Sequence, residues 1–211
     1  MRSLITLLPA ILLGVLLTAG CSDPLANYAK ANASDAKEVT HEKGKEFTFS
    51  NEGSTIGFHG AKVTGSHKGG FNKFSGKVIL TDTGLTIKQV EVDIEMSSLW
   101  TDDPNKPNEK LTNHLKTGDF FLIEEHPKSK FISTEIKEGG EGGTHTVTGN
   151  LTMRGTTKSI TFPATIKVSS DKVTTTAEFK INRHDWKVSF KGAEDDLIKD
   201  DVGLTLEISA R

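Results

Sequence analysis

Residues that could carry out chemistry are few and widely spaced in this chain of 211 residues. Zinc and copper are usually held by His and Cys side chains at short spacings, as in the helical pattern H-E-x-x-H. The sequence lacks that pattern, and its histidines are spread along the chain at His41, His59, His67, His114, His126, His145 and His184. We therefore expect no metal site.

Motifs for nucleophilic attack or phosphate binding are also missing. The sequence has no G-x-S-x-G motif, which would place a nucleophilic Ser on a sharp turn. The stretch Gly70–Lys77 has the glycines and the Lys of a phosphate-binding loop, but five residues separate its glycines and it leads into a strand pattern. The acidic run from Glu194 to Asp201 lacks the spacing of a calcium loop and indicates a solvated turn. We expect no catalytic residue and no cofactor.

The single cysteine, Cys21, follows a sequence that is typical of a secretory signal peptide. Arg2 precedes an apolar region over residues 4–17, and the small residues Ala19 and Gly20 stand directly before Cys21. The apolar region is shorter than the ~20 residues that a membrane-spanning helix needs. The residues before Cys21 are similar to the lipobox of bacterial lipoproteins, in which that Cys becomes the acylated first residue of the mature chain. The alternative is an ordinary signal peptide cut near Ala19.

The similarity to lipoproteins implies a signal peptide over residues 1–20, lipidation of Cys21 and attachment to a membrane through the acyl groups. Ser22, rather than Asp, follows the Cys, which favours the outer membrane of a Gram-negative bacterium, with the protein facing the periplasm. Residues 21–45 are small, polar and charged and lack an apolar period. They are therefore predicted to form a flexible tether.

The charge of the chain gives no sign of a nucleic-acid partner. The formal net charge is −2, and residues of both signs are interspersed. Nucleic-acid binding needs a basic surface, which this distribution does not supply. We therefore exclude nucleic acid from the expected partners.

Hydrophobic alternation predicts strands through most of residues 46–211, which we expect to form one domain. The clearest case is the stretch from Val90 to Met96, in which apolar and acidic residues alternate as in a half-buried antiparallel strand. About eight such strands joined by short turns favour an all-β fold, an eight-stranded antiparallel barrel whose interior can hold one small ligand. A β-sandwich of the immunoglobulin type is the alternative, but its Cys, Trp, Cys spacing is missing.

One helical segment interrupts the strands near residues 108–123. Asn108 is a suitable N-cap, and Leu111 and Leu115 recur at the spacing of one helix face. The adjacent side chains of Phe120 and Phe121 need a large apolar surface to pack against. We interpret the segment as a plug at the end of the barrel, either above a solid core or above a cavity.

Six segments of the domain, in order, resemble the YceI-like family of polyisoprenoid-binding periplasmic proteins. They are STIGFHG, GGFNKFSGKVIL, VEVDIEMSSLWT, LTNHLKTGDFFLIEEHPKSKF, GNLTMRGTTKSITFP and INRHDW, and the resemblance covers the stretch from about Phe47 to Ser209. The resemblance implies an eight-stranded antiparallel lipocalin-like β-barrel around a long apolar channel. It also implies that this channel takes the tail of an isoprenoid lipid such as a quinone or a polyprenyl compound.

The resemblance further implies which residues line the channel. Carried over by position, the candidates are Phe71, Phe74, Trp100, Leu115, Phe120, Phe121, Phe131, Leu151, Met153, Phe162, Phe179 and Trp186. We expect Arg183 and Asp185 in INRHDW to form an ion pair at a strand end; the alternative is that they contact the head group of a ligand. The family usually has Gly after the aromatic residue of that motif, whereas this chain has Lys187.

These features together predict a membrane-tethered, periplasm-facing protein that sequesters or carries an isoprenoid lipid. The alternative is a non-enzymatic stress-response or protein-interaction module with a solid barrel core. An isomerase or hydrolase built on a similar barrel is disfavoured, because the sequence lacks an acid–base constellation. The identity of the lipid and the formation of a homodimer stay open at this stage.

Overall fold

Alternating apolar and polar residues form long antiparallel strands in the structure, a computed structural model that describes residues 23–211. The predicted signal peptide and the predicted lipidation site, Cys21, lie outside the described residues. One α-helix, α1, spans Glu109–Lys116, and two 3-10 helices span Met96–Ser98 and Arg183–Trp186. The strands are β1 (Ala29–Lys30), β2 (Ser34–Asp35), β3 (Lys45–Ser50), β4 (Thr55–Lys62), β5 (Gly65–Phe71), β6 (Phe74–Leu80), β7 (Ile87–Glu95), β8 (Leu99–Thr101), β9 (Lys128–Glu138), β10 (His145–Met153), β11 (Thr156–Val168), β12 (Val173–Asn182), β13 (Gly192–Ala193), β14 (Asp196–Leu197) and β15 (Asp201–Ala210).

The long strands run around a barrel, and each pairs antiparallel with the next one along the chain. Bends divide each of the first three long strands into two pieces, which are β3 and β4, β5 and β6, and β7 and β8. As a result, β4 pairs with β5, β3 with β6, β5 with β8 and β6 with β7. The last strand, β15, pairs with β4, and the backbones of Thr48 and Arg211 exchange hydrogen bonds of 2.8 and 2.9 Å. The last strand thus pairs with the first, which closes the barrel. The predicted all-β barrel is confirmed, although the bends and four two-residue strands raise the strand count above eight.

The up-and-down order places successive turns at alternate ends of the barrel. One end, which we call the helix end, carries the β4–β5 turn at Val63 and Thr64, α1, and the segment 183–200. The opposite end, which we call the closed end, carries the turns at 81–86, 139–144 and 169–172. Buried apolar side chains fill the closed end; they are Phe47, Leu80, Ile87, Val173 and Ala210.

The helical segment occurs where the sequence predicts it. The side-chain oxygen of Asn108 accepts a hydrogen bond of 3.2 Å from the backbone N–H of Leu111, which satisfies one of the free donors at the helix start. The helix itself is shorter than the segment, because residues 117–126 continue as turns after Lys116. These turns carry Phe120 and Phe121 to the barrel.

Residues 23–44 lie along the outside of the barrel and differ from the flexible tether that their composition predicts. Strand β1 pairs parallel with β12, and β2 pairs antiparallel with β11. Leu25 and Ala31 are only 1% and 2% exposed. The side-chain amide of Asn150 also holds both the N–H and the carbonyl oxygen of Lys37, at 3.0 and 2.7 Å. The few apolar side chains and the backbone of this docked segment thus find partners on the sheet, which a polar composition does not reveal.

Candidate functional site

The barrel encloses an apolar cavity of about 580 Å³. Every long strand contributes to its wall, because inward-facing side chains alternate with outward-facing ones along each strand. On β7, for example, Val90, Val92 and Ile94 face the cavity, as their alternation with acidic residues predicts. The cavity differs from the solid core that the protein-interaction alternative requires.

Aromatic rings lie flat against this wall where the opposite strand has a glycine. Phe58 pairs with Gly69 across β4 and β5, and a Cβ atom on Gly69 would come within 2.2 Å of the Phe58 ring. Phe49 pairs with Gly76 in the same way, also at 2.2 Å. A larger residue at either glycine would push the ring away from the wall. These pairs therefore keep the interior open.

The cavity extends toward the helix end. Its wall there includes Leu111 and Leu115 from α1 and Phe120 and Phe121 from the turns that follow. The apolar residues that fill the closed end do not line it. The cavity therefore opens near the helix.

Nine of the twelve predicted channel residues line this cavity. They are Phe71, Leu115, Phe120, Phe121, Phe131, Leu151, Met153, Phe162 and Phe179. Phe162 and Phe179 stack with their ring centres 4.1 Å apart, so two of these side chains pack face to face. The structure brings these residues together from six elements of the chain and the turns after α1; their contact with a ligand stays a prediction.

The other three predicted residues lie elsewhere. Phe74 is 5% exposed and packs in the main apolar core without reaching the cavity. Trp100 lies on the outer face of β8, over Gly70 of the paired strand β5. Trp186 is fully buried in the second 3-10 helix and donates a hydrogen bond of 3.0 Å to the carbonyl oxygen of Leu151. Each of these aromatic side chains packs the barrel instead of lining the cavity.

Polar side chains that were not among the predicted channel residues line the cavity at the helix end. They are Lys62, His67, Asn108, Lys110, His114 and Arg183. Three of them are held by carboxylates: Lys62 by Asp196, His67 by Asp102 at 2.8 Å, and His114 by Asp119 at 2.8 Å. Asp102 and Asp119 lie in irregular segments and Asp196 lies in the two-residue strand β14, and no local sequence pattern predicts such pairs.

Two of these carboxylates are stabilised in the charged form. Burial raises the pKa of Asp102, but hydrogen bonds from His67 and Asn108 outweigh it and leave this pKa below its usual range. The hydrogen bond from Lys62 lowers the pKa of Asp196, which also accepts hydrogen bonds from Thr64. Lys62 and Asp196 therefore compensate each other's charge at the opening.

Arg183 fastens the segment 183–200 to the helix end. It is 4% exposed, and its guanidinium donates to the carbonyl oxygens of Lys199, Val188 and Ile198 at 3.0, 2.7 and 3.3 Å. Burial lowers the pKa of Arg183, and nearby Asp200, 3.9 Å away, acts in the opposite direction. The expected ion pair between Arg183 and Asp185 is therefore wrong, because Arg183 turns toward backbone carbonyls and Asp200 instead.

The described part of the chain offers little for chemistry besides binding. Within residues 23–211, no group of three His, Cys, Asp or Glu side chains lies close enough to hold a metal ion. None of the helices described there is long and apolar enough to cross a bilayer. What the arrangement can do is enclose an apolar molecule.

A family model described as YceI-like domain matches residues 47–210 of this chain. A UPF0312 protein of Pseudomonas putida strain GB-1 is 35% identical over 97 residues, which are 46% of this chain and 47% of the relative. A UPF0312 protein of Pseudomonas aeruginosa strain LESB58 is 33% identical over 96 residues, again 46% of this chain and 47% of the relative. The chain therefore spans about half the length of the curated relatives that it matches.

Three solved structures share the fold. BcnA of Burkholderia cenocepacia superposes with a TM-score of 0.65 at 20% identity, covering 77% of this chain and 99% of that one. The YCEI protein of Campylobacter jejuni gives 0.54 at 24% identity, covering 68% and 84%. A polyisoprenoid binding domain from Saccharophagus degradans, implicated in plant cell wall breakdown, gives 0.57 at 11% identity, covering 79% and 97%. At these identities the likeness concerns the fold.

Proposed function

The chain belongs to the YceI-like domain family, and from this premise we propose that its barrel binds the hydrocarbon tail of an isoprenoid lipid. The observation that carries the proposal is the enclosed apolar cavity of about 580 Å³. Small-molecule sites typically measure ~300–1,000 Å³ and are lined mainly by hydrophobic and aromatic side chains. The shared fold with the polyisoprenoid binding domain of Saccharophagus degradans supports an isoprenoid as the ligand.

The cavity volume limits how much of a tail it can enclose. If each non-hydrogen atom occupies ~30 Å³, as a water molecule does in the liquid, the cavity holds about 20 atoms, or about four isoprene units. A longer tail would have to extend out of the helix end, because the closed end is filled. A quinone or polyprenyl lipid would then keep its head group at the opening.

Energetics favour carriage of the lipid over permanent storage. Removing a methylene group from water contributes about 0.8 kcal/mol, so a buried tail binds strongly relative to water. A bilayer solvates the same tail equally well, so the free energy of the tail differs little between the membrane and the cavity. Such a protein can therefore take up and release its ligand.

The proposal also includes a location and excludes catalysis. The signal-peptide pattern before Cys21 supports an acylated protein that faces the periplasm, on the outer membrane of a Gram-negative bacterium. A cavity wall that is mainly apolar supports a binding protein rather than an enzyme.

Native mass spectrometry of the full chain, purified from a Gram-negative host, tests this function. We expect one bound isoprenoid per protein, identified after organic extraction. Added prenyl alcohols of different lengths should bind in competition, with tails of about four isoprene units preferred over shorter ones. A protein that carries no lipid and takes up none of the added alcohols would refute the proposal.

The variant Val90→Phe sharpens this experiment. Val90 lines the cavity from β7 and lies only three residues after the first residue of that strand, which begins at the closed end. A larger side chain there shortens the available space. The variant should prefer shorter lipid tails than the wild type does. An unchanged preference in a folded variant would contradict binding in this cavity.

A further inference from the structure

Two exposed apolar side chains lie beside the opening of the cavity. Val63 and Leu197 are 68% and 48% exposed, and the backbone N–H of Val63 donates to the carbonyl oxygen of Leu197 at 3.2 Å. Their chain neighbours Lys62 and Ile198 line the cavity. We call Val63 and Leu197 the rim patch. Among the described residues, the one other large apolar side chain with this exposure is Leu85, in a turn at the closed end.

The described chain begins next to this rim patch. Asp23 accepts a hydrogen bond of 2.8 Å from Lys199, and the backbone N–H of Lys199 donates to the carbonyl oxygen of Ala61 at 2.8 Å. Asp23 lines the same shallow groove as Val63 and Leu197. Cys21 precedes Asp23 by two residues, and two residues of extended chain reach at most about 7 Å. An acyl group on Cys21 would therefore enter a membrane close to the rim patch.

We propose that the helix end of the barrel rests on a lipid bilayer, with Val63 and Leu197 in contact with the apolar part of the membrane interface. The cavity then opens toward the bilayer, and a lipid tail can move between the two without crossing water. This inference rests on the proposed function for the identity of the cargo. In this arrangement the domain lies against the membrane. A flexible tether does not hold it away, because the docked segment 23–44 leaves little free chain.

A bilayer fits the rim patch better than another protein surface does. A stable dimer buries ~800 Å² on each partner, far more than two aliphatic side chains can offer. A bilayer accepts isolated apolar side chains, and the acyl anchor keeps them at its surface. The nearby charges compensate each other, as in the pair of Lys62 and Asp196 and that of Lys199 and Asp23. Contact with the bilayer should therefore depend little on salt.

The position of the barrel can be measured with labels on the full acylated chain in phospholipid vesicles. Cys21 is the only cysteine, so once it is acylated a new cysteine can be labelled selectively. A polarity-sensitive fluorophore at Val63→Cys should be quenched several-fold more by spin-labelled lipids than the same fluorophore at Leu85→Cys. Equal quenching at the two positions would overturn the proposal. A purified chain that carries no acyl group and does not bind the vesicles would also overturn it.

The rate of lipid transfer gives a second test. The double variant V63D and L197D should slow the movement of a fluorescent prenyl lipid from vesicles to the protein several-fold, while the amount bound at equilibrium stays the same. Leu85→Asp is the matched control and should transfer at the wild-type rate. A dimer that the double variant converts to a monomer would assign the patch to a second copy and overturn the proposal.

The two proposals fail in different ways. If the protein binds no prenyl lipid but the label at position 63 is quenched, the proposed function fails and the membrane contact stands. If lipid binds but the label is not quenched, the membrane contact fails alone.

Discussion

The indole N–H of Trp186 donates a hydrogen bond of 3.0 Å to the carbonyl oxygen of Leu151, and it ties the second 3-10 helix to strand β10. The side chain of Leu151 lines the cavity, whereas Trp186 is fully buried and does not. The two residues therefore have different roles: Leu151 forms the wall, and Trp186 holds that part of the wall in place.

Substitution of Trp186 by Phe should destabilise the protein without abolishing lipid uptake. The variant loses the indole donor and part of the ring volume, which together should lower the free energy of unfolding by about 1–3 kcal/mol. Urea unfolding measures this change. Trp100→Phe is the control, because Trp100 lies half-exposed on the outer face, and it should cost much less. Equal losses in the two variants would contradict the supporting role of Trp186.

Substitution of Leu151 by Lys should abolish lipid uptake. An ammonium group in the apolar cavity must either stay unpaired or occupy the space of the tail, and both disfavour binding. Mass spectrometry of the extracted lipid measures the loss, and circular dichroism checks the fold. Thr152→Lys places the same charge on the opposite face of β10 and should bind lipid normally. Unchanged lipid in a folded Leu151→Lys protein would show that the ligand does not lie against this residue.

The strand pattern of the barrel was predictable because apolar residues recur at a period of two wherever one face is buried. This alternation no longer predicts which side chains face inward once a strand bends. On β7, Val90, Val92 and Ile94 face the cavity, and continuing the alternation would turn Trp100 inward as well. The 3-10 helix Met96–Ser98 shifts the phase by one residue, so that Leu99 is buried and Trp100 faces outward.

Other features depended on contacts between distant parts of the chain. Phe74 shares the inner face of β6 with Val78, and alternation gives the face of a residue but not its depth in the core. Lys62 and Asp196 are 134 residues apart, and only the closed barrel brings them together at the opening. The docked segment 23–44 is a similar case, since its partners lie on β11 and β12.

Substitution of Lys187 by Gly should stabilise the protein. Lys187 adopts a left-handed conformation with φ +62°, which costs a residue with a Cβ atom about 1–2 kcal/mol. Glycine avoids that cost but is more flexible in the unfolded chain, so a net gain of about 1 kcal/mol is expected. Chemical denaturation measures it. Lys187→Ala removes the same charge and keeps the Cβ atom, so it should give no gain; an equal gain from Ala would assign the effect to the lost Lys side chain.

His59 should make the docked segment sensitive to acid. The ring is 7% exposed, and within residues 23–211 neither ring nitrogen has a hydrogen-bond partner. Three ionisable side chains surround it: Tyr28 of the docked segment, with ring centres 6.3 Å apart, Lys68 of β5 and Glu178 of β12. Burial lowers the pKa of His59, the charge of Lys68 lowers it further, and Glu178 acts against both. Burial, followed by Glu178, raises the pKa of Tyr28 to about 12, so Tyr28 stays neutral in this range.

The sign of the pH dependence follows from these shifts. Because the pKa of His59 is lower in the folded protein than the usual value of about 6.5, the unfolded chain takes up the proton first as the pH falls. Stability is therefore complete above about pH 6.5 and decreases from there until the pH reaches the lower folded pKa. Urea unfolding between about pH 7.5 and pH 5 measures this slope.

The variant His59→Phe isolates the contribution of this residue. It keeps an aromatic ring against Tyr28 but cannot take up a proton, so its stability should fall less steeply below about pH 6.5 than that of the wild type. His41→Phe is the matched control, because the His41 side chain is 74% exposed, and it should keep the wild-type slope. If His59→Phe also keeps that slope, the acid sensitivity comes from other groups, and protonation of His59 does not loosen the contact between the docked segment and the barrel.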